Sequence, residues 1–188
     1  AHLQLVHPDD VARVGKLGVS VAMTYAWAVP SLQYDYSVIP FIERVTGPGD
    51  MYDPTSYYMQ NVYPVRSLLD AGANLVWGSD APVESRDPRP WLNMYNAITR
   101  SGEDRVLNAG QTIDIHTAIR SFTINGAKLM GNEGVVGTLE VGKRADLIVI
   151  DRNVVELAAS EQPERIAETA VLMTLFDGKV IFEAPGRG

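Results

Sequence analysis

Ten residues, Asn74 to Val83 (NLVWGSDAPV), restrict the fold of this chain more than any other stretch. Leu75, Val76 and Trp77 form a short apolar run bounded by a turn signal, the pattern of a buried strand. Gly78 ends the run, Ser79 and Asp80 follow at its C-terminal end, and Ala81-Pro82 turns the chain away. In a parallel α/β barrel the side chains at the C-terminal ends of the strands line the active site. A carboxylate just past such a strand is well placed to hold a metal or to act as a general base. Taken alone, it is better explained as a cap for the Pro82 turn or the next helix. The stretch alone leaves both readings open.

The flanking sequence supplies a parallel-sheet context. Leu3, Leu5 and Val6 read as a strand. Pro8 at a first helical position, with Asp9 and Asp10 in the first turn, opens a helix with Val11, Val14 and Leu17 on one face and Gly18 as its stop. Val19 to Met23 is apolar throughout, as strands covered on both faces are. A second unit follows: a helix from Pro64 with Val65, Leu68, Leu69 and Ala71 inward, Gly72 ending it, then the Asn74 strand. Strand and helix alternating through such short links make a parallel sheet.

Between these units lies Thr24 to Tyr63, long, aromatic and punctuated by proline and glycine, with a short helix expected over Val38 to Val45. Tyrosines there suit a substrate pocket, since each offers an apolar ring and a hydroxyl. They suit packing onto the rim of a barrel equally well. Pro90 to Arg100 reads as a helix, entered through the polar VESRDPRPW. Thr112 to Gly131 reads as helix in two pieces, with Thr112 as N-cap and Ala118, Ile119, Phe122, Ile124, Ala127 and Leu129 as core. His116 lies in that helix among polar neighbours and reads as a surface or supporting residue. His7, beside Pro8, reads as a cap.

The texture changes at Gly134. Val135 to Gly142 is a glycine-punctuated, hairpin-like stretch, and Ala145 to Ile150 (ADLIVI) is a buried strand. Glu161 to Glu168 is a surface turn or short helix. Ala170 to Phe176 and Val180 to Glu183 flank Asp177-Gly178, a type I′ hairpin signal. This antiparallel module differs from the units before it, and the expected domains are residues 1–133 and 134–188.

Composition excludes several classes. The net charge of -7 argues against nucleic-acid and anionic-membrane partners. No run reaches the roughly 18 apolar residues of a membrane span. The chain has no cysteine, which removes disulfides and thiolate metal sites and favours a cytoplasmic location. Its opening, AHLQLV, reads as the inside of a strand, so a fragment of a longer protein is expected.

Four segments carry a resemblance: VRSLLDAGANLVWGSDAPV, TAIRSFTINGAKLMG, VVGTLEVGKRADLIVIDRN and LFDGKVIFE. In this order and spacing they resemble the C-terminal half of a metal-dependent amidohydrolase, within the amidohydrolase family 3 group that includes N-substituted formamide deformylase-like enzymes. The resemblance implies the last three strands and helices of a TIM (β/α)8 barrel, plus part of a small β-sandwich domain. AHLQLVHPDD corresponds to the family's strand 6, SVAM to strand 7 and NLVWGSD to strand 8. His2 is thereby implied as a metal ligand, and Asp80 as metal ligand and general base. A divalent metal, zinc, is implied for the intact enzyme. The implied reaction is hydrolysis of C–N bonds in small amide-type substrates by a metal-activated water.

The family's His-x-His and its strand 4 and strand 5 ligands have no counterpart here. A catalytic zinc takes about three protein ligands and a water, whereas His2 and Asp80 are two. The isolated chain is therefore expected to hold no metal tightly and to be inactive. Open sheet edges in a partial barrel imply a homo-oligomer or a complementing N-terminal half. The competing reading is a non-catalytic structural remnant or oligomerising module of the same fold.

Overall fold

The computed structural model describes residues 1–83, 86–102 and 105–186, so Glu84 and Ser85 of the polar helix entry lie outside the described residues. The fold is mixed α/β. Helix α1 (Pro8–Lys16) begins where expected: Pro8 opens it, and Nδ1 of His7 accepts the Asp9 N–H at 3.3 Å, so His7 is the N-cap. Gly18 follows the C-cap with φ 63°, the left-handed conformation that ends helices at glycine. The helix rests on the end of a later helix through Gly15, whose backbone lies so close to Ala71 that a Cβ would sit 1.8 Å from the Ala71 carbonyl oxygen. Leu17 is 68% exposed rather than inward, because it is the cap residue just past the packed face.

Strand β1 (Ser20–Met23) then enters the core, with Val21 and Met23 buried. The expected strand before α1 does not form. His2 and Leu3 take φ of 63° and 45°, which breaks the extended run, and Leu5 makes a single antiparallel bridge to Val62.

The aromatic stretch folds into short helices: α2 (Leu32–Val38), α3 (Pro48–Met51) and α4 (Tyr57–Asn61). The helix expected over Val38 to Val45 is displaced. The α-helix ends at Val38 and a 3-10 turn takes over at Ile39–Phe41. Pro40 has no N–H to continue the ladder. Tyr25, Tyr58 and Tyr63 are almost wholly buried, so these three pack the fold.

Helix α5 (Val65–Asp70) buries Val65 and Leu68, and Gly72 leaves it with φ 92°. Strand β2 (Asn74–Trp77) pairs in parallel with β1, from Ser20 opposite Asn74 to Met23 opposite Trp77. Helix α6 (Pro90–Thr99) and a short ribbon of β3 (Ser101–Gly102) and β4 (Arg105–Val106) follow. Helices α7 (Ile115–Phe122) and α8 (Ile124–Leu129) are the two expected pieces. Their N-cap is Asp114 rather than Thr112. The Asp114 carboxylate accepts the Thr117 N–H at 2.9 Å and the Thr117 hydroxyl at 2.8 Å, while Thr112 stays extended as Ile113 bonds to the Ala97 carbonyl. His116 is exposed on α7, and Leu129 is 54% exposed in the last turn of α8.

Residues 134–142 form turns rather than a hairpin. Gly137 and Gly142 take φ of 95° and 94°, and the N–H groups of Val135 and Val136 both turn back to the Asn132 carbonyl instead of forming a ladder. Strands β5 (Leu147–Ile150), β6 (Val171–Phe176) and β7 (Lys179–Glu183) make an antiparallel sheet in that order. Asp177 and Gly178, at φ 50° and 76°, form the tight turn between β6 and β7, with the two positive φ values that type I′ geometry requires. β5 is not buried as its apolar sequence implies: Ile148 and Val149 are 48% and 43% exposed. Helix α9 (Val154–Ala158) and the 3-10 segment Pro163–Glu168 instead send Val154 and Ile166 into the same core as Leu68 and Met94. No helix among the described residues is long and apolar enough to cross a membrane.

Candidate active site

Because β1 and β2 are parallel and in register, both open at one end. The Gly78 N–H still bonds to the Met23 carbonyl at 2.9 Å, which keeps the two strand exits side by side. Asp80 then adopts φ 56°, a left-handed conformation that aspartate tolerates better than most residues. The turn beyond it is closed without the carboxylate. Ser79 Oγ accepts the Ala81 N–H at 3.2 Å, and the backbone carbonyl of Asp80 accepts the Val83 N–H at 3.0 Å. Of the two roles open from sequence, the side chain is thus not spent as a cap among the described residues.

It faces two residues from other segments. Oδ1 of Asp80 lies 3.9 Å from Nε2 of His2, and Oδ2 accepts the indole N–H of Trp27 at 3.3 Å. His2 is held beside β1 by its own N–H, which donates to the Ala22 carbonyl at 2.8 Å. Trp27 comes from the 3-10 turn Tyr25–Trp27 directly after β1. His2 and Asp80 therefore converge from either side of β1 at the same end of the strands. Their side chains are 49% and 28% exposed, accessible to a ligand from solvent.

A cleft beside Asp80 is lined by Ala26, Trp27, Ser79, Asp87, Pro88, Arg89 and Asn93. Its free volume is about 10 Å³, room for about one water-sized group. Asn93, 1% exposed, organises this side. Its Oδ1 accepts the Ala26 N–H at 2.7 Å, and its Nδ2 donates to the carbonyls of Arg89 (3.1 Å) and Pro88 (3.4 Å). The buried amide thereby locks the loop after β1 to the start of α6. Neither Trp27 nor Asn93 stands out in sequence as a site residue. The available signal for Asn93 was an amide on the inward face of an otherwise apolar helix, WLNMYNAI.

The aromatic residues divide by location. Trp27 lines the cleft and packs against Tyr34 with ring centroids 4.8 Å apart and planes tilted by 32°. The Tyr34 hydroxyl donates to Oε1 of Gln4 at 3.3 Å, and Nε2 of Gln4 donates to the Tyr58 hydroxyl at 3.1 Å. Burial pushes the Tyr25 phenol up to about 12 and raises Tyr58 and Tyr63 as well, so all three stay neutral packing groups.

His2 and Asp80 offer one imidazole nitrogen and one carboxylate, a donor pair suited to zinc and related divalent ions. A separation of 3.9 Å is within what one ion can bridge at about 2.0–2.2 Å from each donor. The pair fits as part of a metal site. Among the described residues no group of three or more His, Cys, Asp or Glu converges on it or elsewhere.

A family model described as the amidohydrolase family matches residues 1–182. The N-substituted formamide deformylase of Arthrobacter pascens is 35% identical over 126 residues, 66% of this chain and 22% of that protein. A 5-methylthioadenosine/S-adenosylhomocysteine deaminase of Teredinibacter turnerae is 36% identical over 102 residues, 53% of this chain and 22% of that protein. Among solved structures, an uncharacterised metal-dependent hydrolase of Pyrococcus horikoshii superposes with a TM-score of 0.58 at 26% identity, covering 77% of this chain and 26% of that one. The chain spans about a fifth of the length of these two curated relatives.

Proposed function

The chain belongs to the amidohydrolase family, and from that premise we propose that it forms part of a metal-dependent hydrolase acting on C–N bonds other than peptide bonds. The substrate class is a small amide-type molecule, in keeping with the deformylase and deaminase names of its relatives. The fold is read as the C-terminal part of a TIM barrel, with β1 and β2 as its last two strands, plus part of a small β-sandwich. The observation that carries the reading is the approach of Asp80 to His2, 3.9 Å apart at the shared end of the strands.

In this reading His2 and Asp80 hold a divalent ion, zinc by the nature of the donors. When bound, the ion supplies Lewis-acid polarisation of the scissile group and a more acidic water. His2 contributes a neutral imidazole nitrogen. Asp80 accepts the proton of the attacking water and returns it to the departing nitrogen, one carboxylate serving first as base and then as acid. Its partial burial and the Trp27 N–H keep the carboxylate in place for that exchange.

Two donors fall short of the three that a catalytic zinc takes, so the chain by itself is read as inactive and as a weak metal binder. Activity then requires further ligands from a second copy or from a complementing segment. Exposed apolar side chains, among them Leu139, Val141, Ile181 and Phe182, favour such association. The alternative of a structural remnant shares this donor shortage. Titration calorimetry with Zn²⁺ separates the cases. Weak binding that disappears in both His2→Ala and Asp80→Asn supports the site, and binding unchanged by both substitutions removes it. Tight, near-stoichiometric zinc in the purified chain would overturn the two-donor reading.

A further inference from the structure

We propose that Trp27 is a positioning residue for Asp80, its indole N–H holding Oδ2 so that Oδ1 is the oxygen presented to His2. The inference rests on the reading of Asp80 given above. The two oxygens of a carboxylate are equivalent until surroundings distinguish them, and the terminal torsion of aspartate is broad and roughly two-fold. His2 does not set that torsion, because 3.9 Å is beyond hydrogen-bond range. Ser79 Oγ accepts the Ala81 N–H, and among the described residues no hydrogen bond joins its hydroxyl to the carboxylate. Trp27 does: its N–H reaches Oδ2 at 3.3 Å. An indole offers one donor and no acceptor. The contact therefore has a single polarity, with the indole donating and the carboxylate oxygen accepting.

Trp27 is itself anchored at several points. Its backbone N–H closes the 3-10 turn on the Thr24 carbonyl at 3.1 Å. The preceding N–H, of Ala26, is held by the buried Asn93 amide at 2.7 Å. Its ring lies against Tyr34, and the Tyr34 hydroxyl reaches Gln4, two residues from His2. The loop after β1 thus touches the segments that carry both proposed donors. A tryptophan that only filled space would need none of this directionality at its nitrogen.

The test uses the ¹⁵N-labelled chain, whose three tryptophans give three indole N–H signals. The Trp27 signal is the one absent from Trp27→Phe. In Asp80→Gly, where glycine takes φ 56° without steric cost, that signal is expected to move upfield and to exchange faster with solvent. An unmoved signal overturns the proposal. The second arm is a Co²⁺ titration. Trp27→Phe keeps an aromatic ring beside Tyr34 but lacks the donor, and is expected to weaken Co²⁺ binding by about 10–100-fold, the usual effect of losing a group that orients a ligand. Tyr34→Leu keeps the donor and is expected to change the affinity far less. Equal losses in both variants, or no loss in Trp27→Phe while Asp80→Asn weakens binding, would reduce Trp27 to packing. Should Asp80→Asn and His2→Ala both leave Co²⁺ affinity unchanged, the metal reading fails on its own, and the indole signal still decides the Trp27 contact. If Trp27→Phe does not fold, as judged by its amide spectrum, the Trp27 signal is assigned as the one retained in both Trp77→Phe and Trp91→Phe, and the Asp80→Gly chain carries the decision.

Discussion

Arg100 is 1% exposed, and replacing it with methionine tests whether a buried guanidinium earns its place. Its Nε donates to the Leu107 carbonyl at 2.5 Å, Nη1 to Tyr63 at 3.0 Å and Nη2 to Val62 at 3.3 Å, with the Tyr63 ring 5.9 Å away. Burial pulls its pKa down to about 10, against the opposing pull of Tyr63 and Tyr58. That displacement disfavours the charge by about 3 kcal/mol. Hydrogen bonds to a charged group contribute about 1.5–3 kcal/mol each, so three at the low end outweigh the cost of burial by about 1–2 kcal/mol. The loss is spread unevenly. The Val62 carbonyl retains the Asn108 amide at 3.3 Å, and the Tyr63 carbonyl retains the Val65 N–H at 2.7 Å. Leu107 keeps no other donor among the described residues, and a stranded buried carbonyl costs about 1–3 kcal/mol. Arg100→Met is therefore expected to lose at least about 2 kcal/mol. In urea, with a slope of about 2 kcal/mol per molar for a chain of this size, the midpoint falls by about 1 M. A midpoint equal to or above that of the parent would refute the reasoning, because it would mean that desolvation dominates, as it does for some buried ions.

Two further outcomes follow from the packing. The raised phenols of Tyr25, Tyr58 and Tyr63 stabilise the fold in their neutral forms. That stability is complete below the ordinary tyrosine pKa near 10 and is lost as pH rises towards the folded values, about 12 for Tyr25. Urea midpoints between about pH 9 and 11 should fall steeply, and less steeply in Tyr58→Phe; an identical slope in the variant would count against the assignment. Gly15→Ala gains helix propensity of about 1 kcal/mol, but its Cβ meets the Ala71 carbonyl, which as backbone cannot step aside. Calorimetry should show a Tm lower by about 3–6 °C, and an unchanged or higher Tm would mean that α1 shifts freely on α5.

Local chemistry made part of this structure legible. β2 and its exit, the caps at His7 and Gly18, and the Asp177-Gly178 turn all follow from residues within a few positions of one another. Asp80 stood out because a carboxylate after an apolar run is visible in one dimension. The misplaced features depend on partners far along the chain. The segment before α1 is extended in pattern, yet its one bridge is to Val62. Ile148 and Val149 look buried, but 48% and 43% of their surface stays exposed. Trp27 and Asn93 acquire their roles only when the loop after β1 meets β2 and α6, contacts spanning 53 and 67 positions. Aromatic residues between Thr24 and Tyr63 all looked alike, and only folding separated Trp27 at the cleft from Tyr25, Tyr58 and Tyr63 in the interior.

The left-handed backbone at residue 80 also governs how this position can drift over generations. Only aspartate, asparagine and glycine sit there at little steric expense. Both substitutes are a single base change from aspartate, and both delete the acid while sparing the turn. If Asp80 has the role proposed for it, a duplicated copy can fall silent in one step and persist as a well-folded protein, its outline unchanged. When relatives of this chain are compared, residue 80 is the place to read first, since loss of chemistry there leaves no trace in the shape.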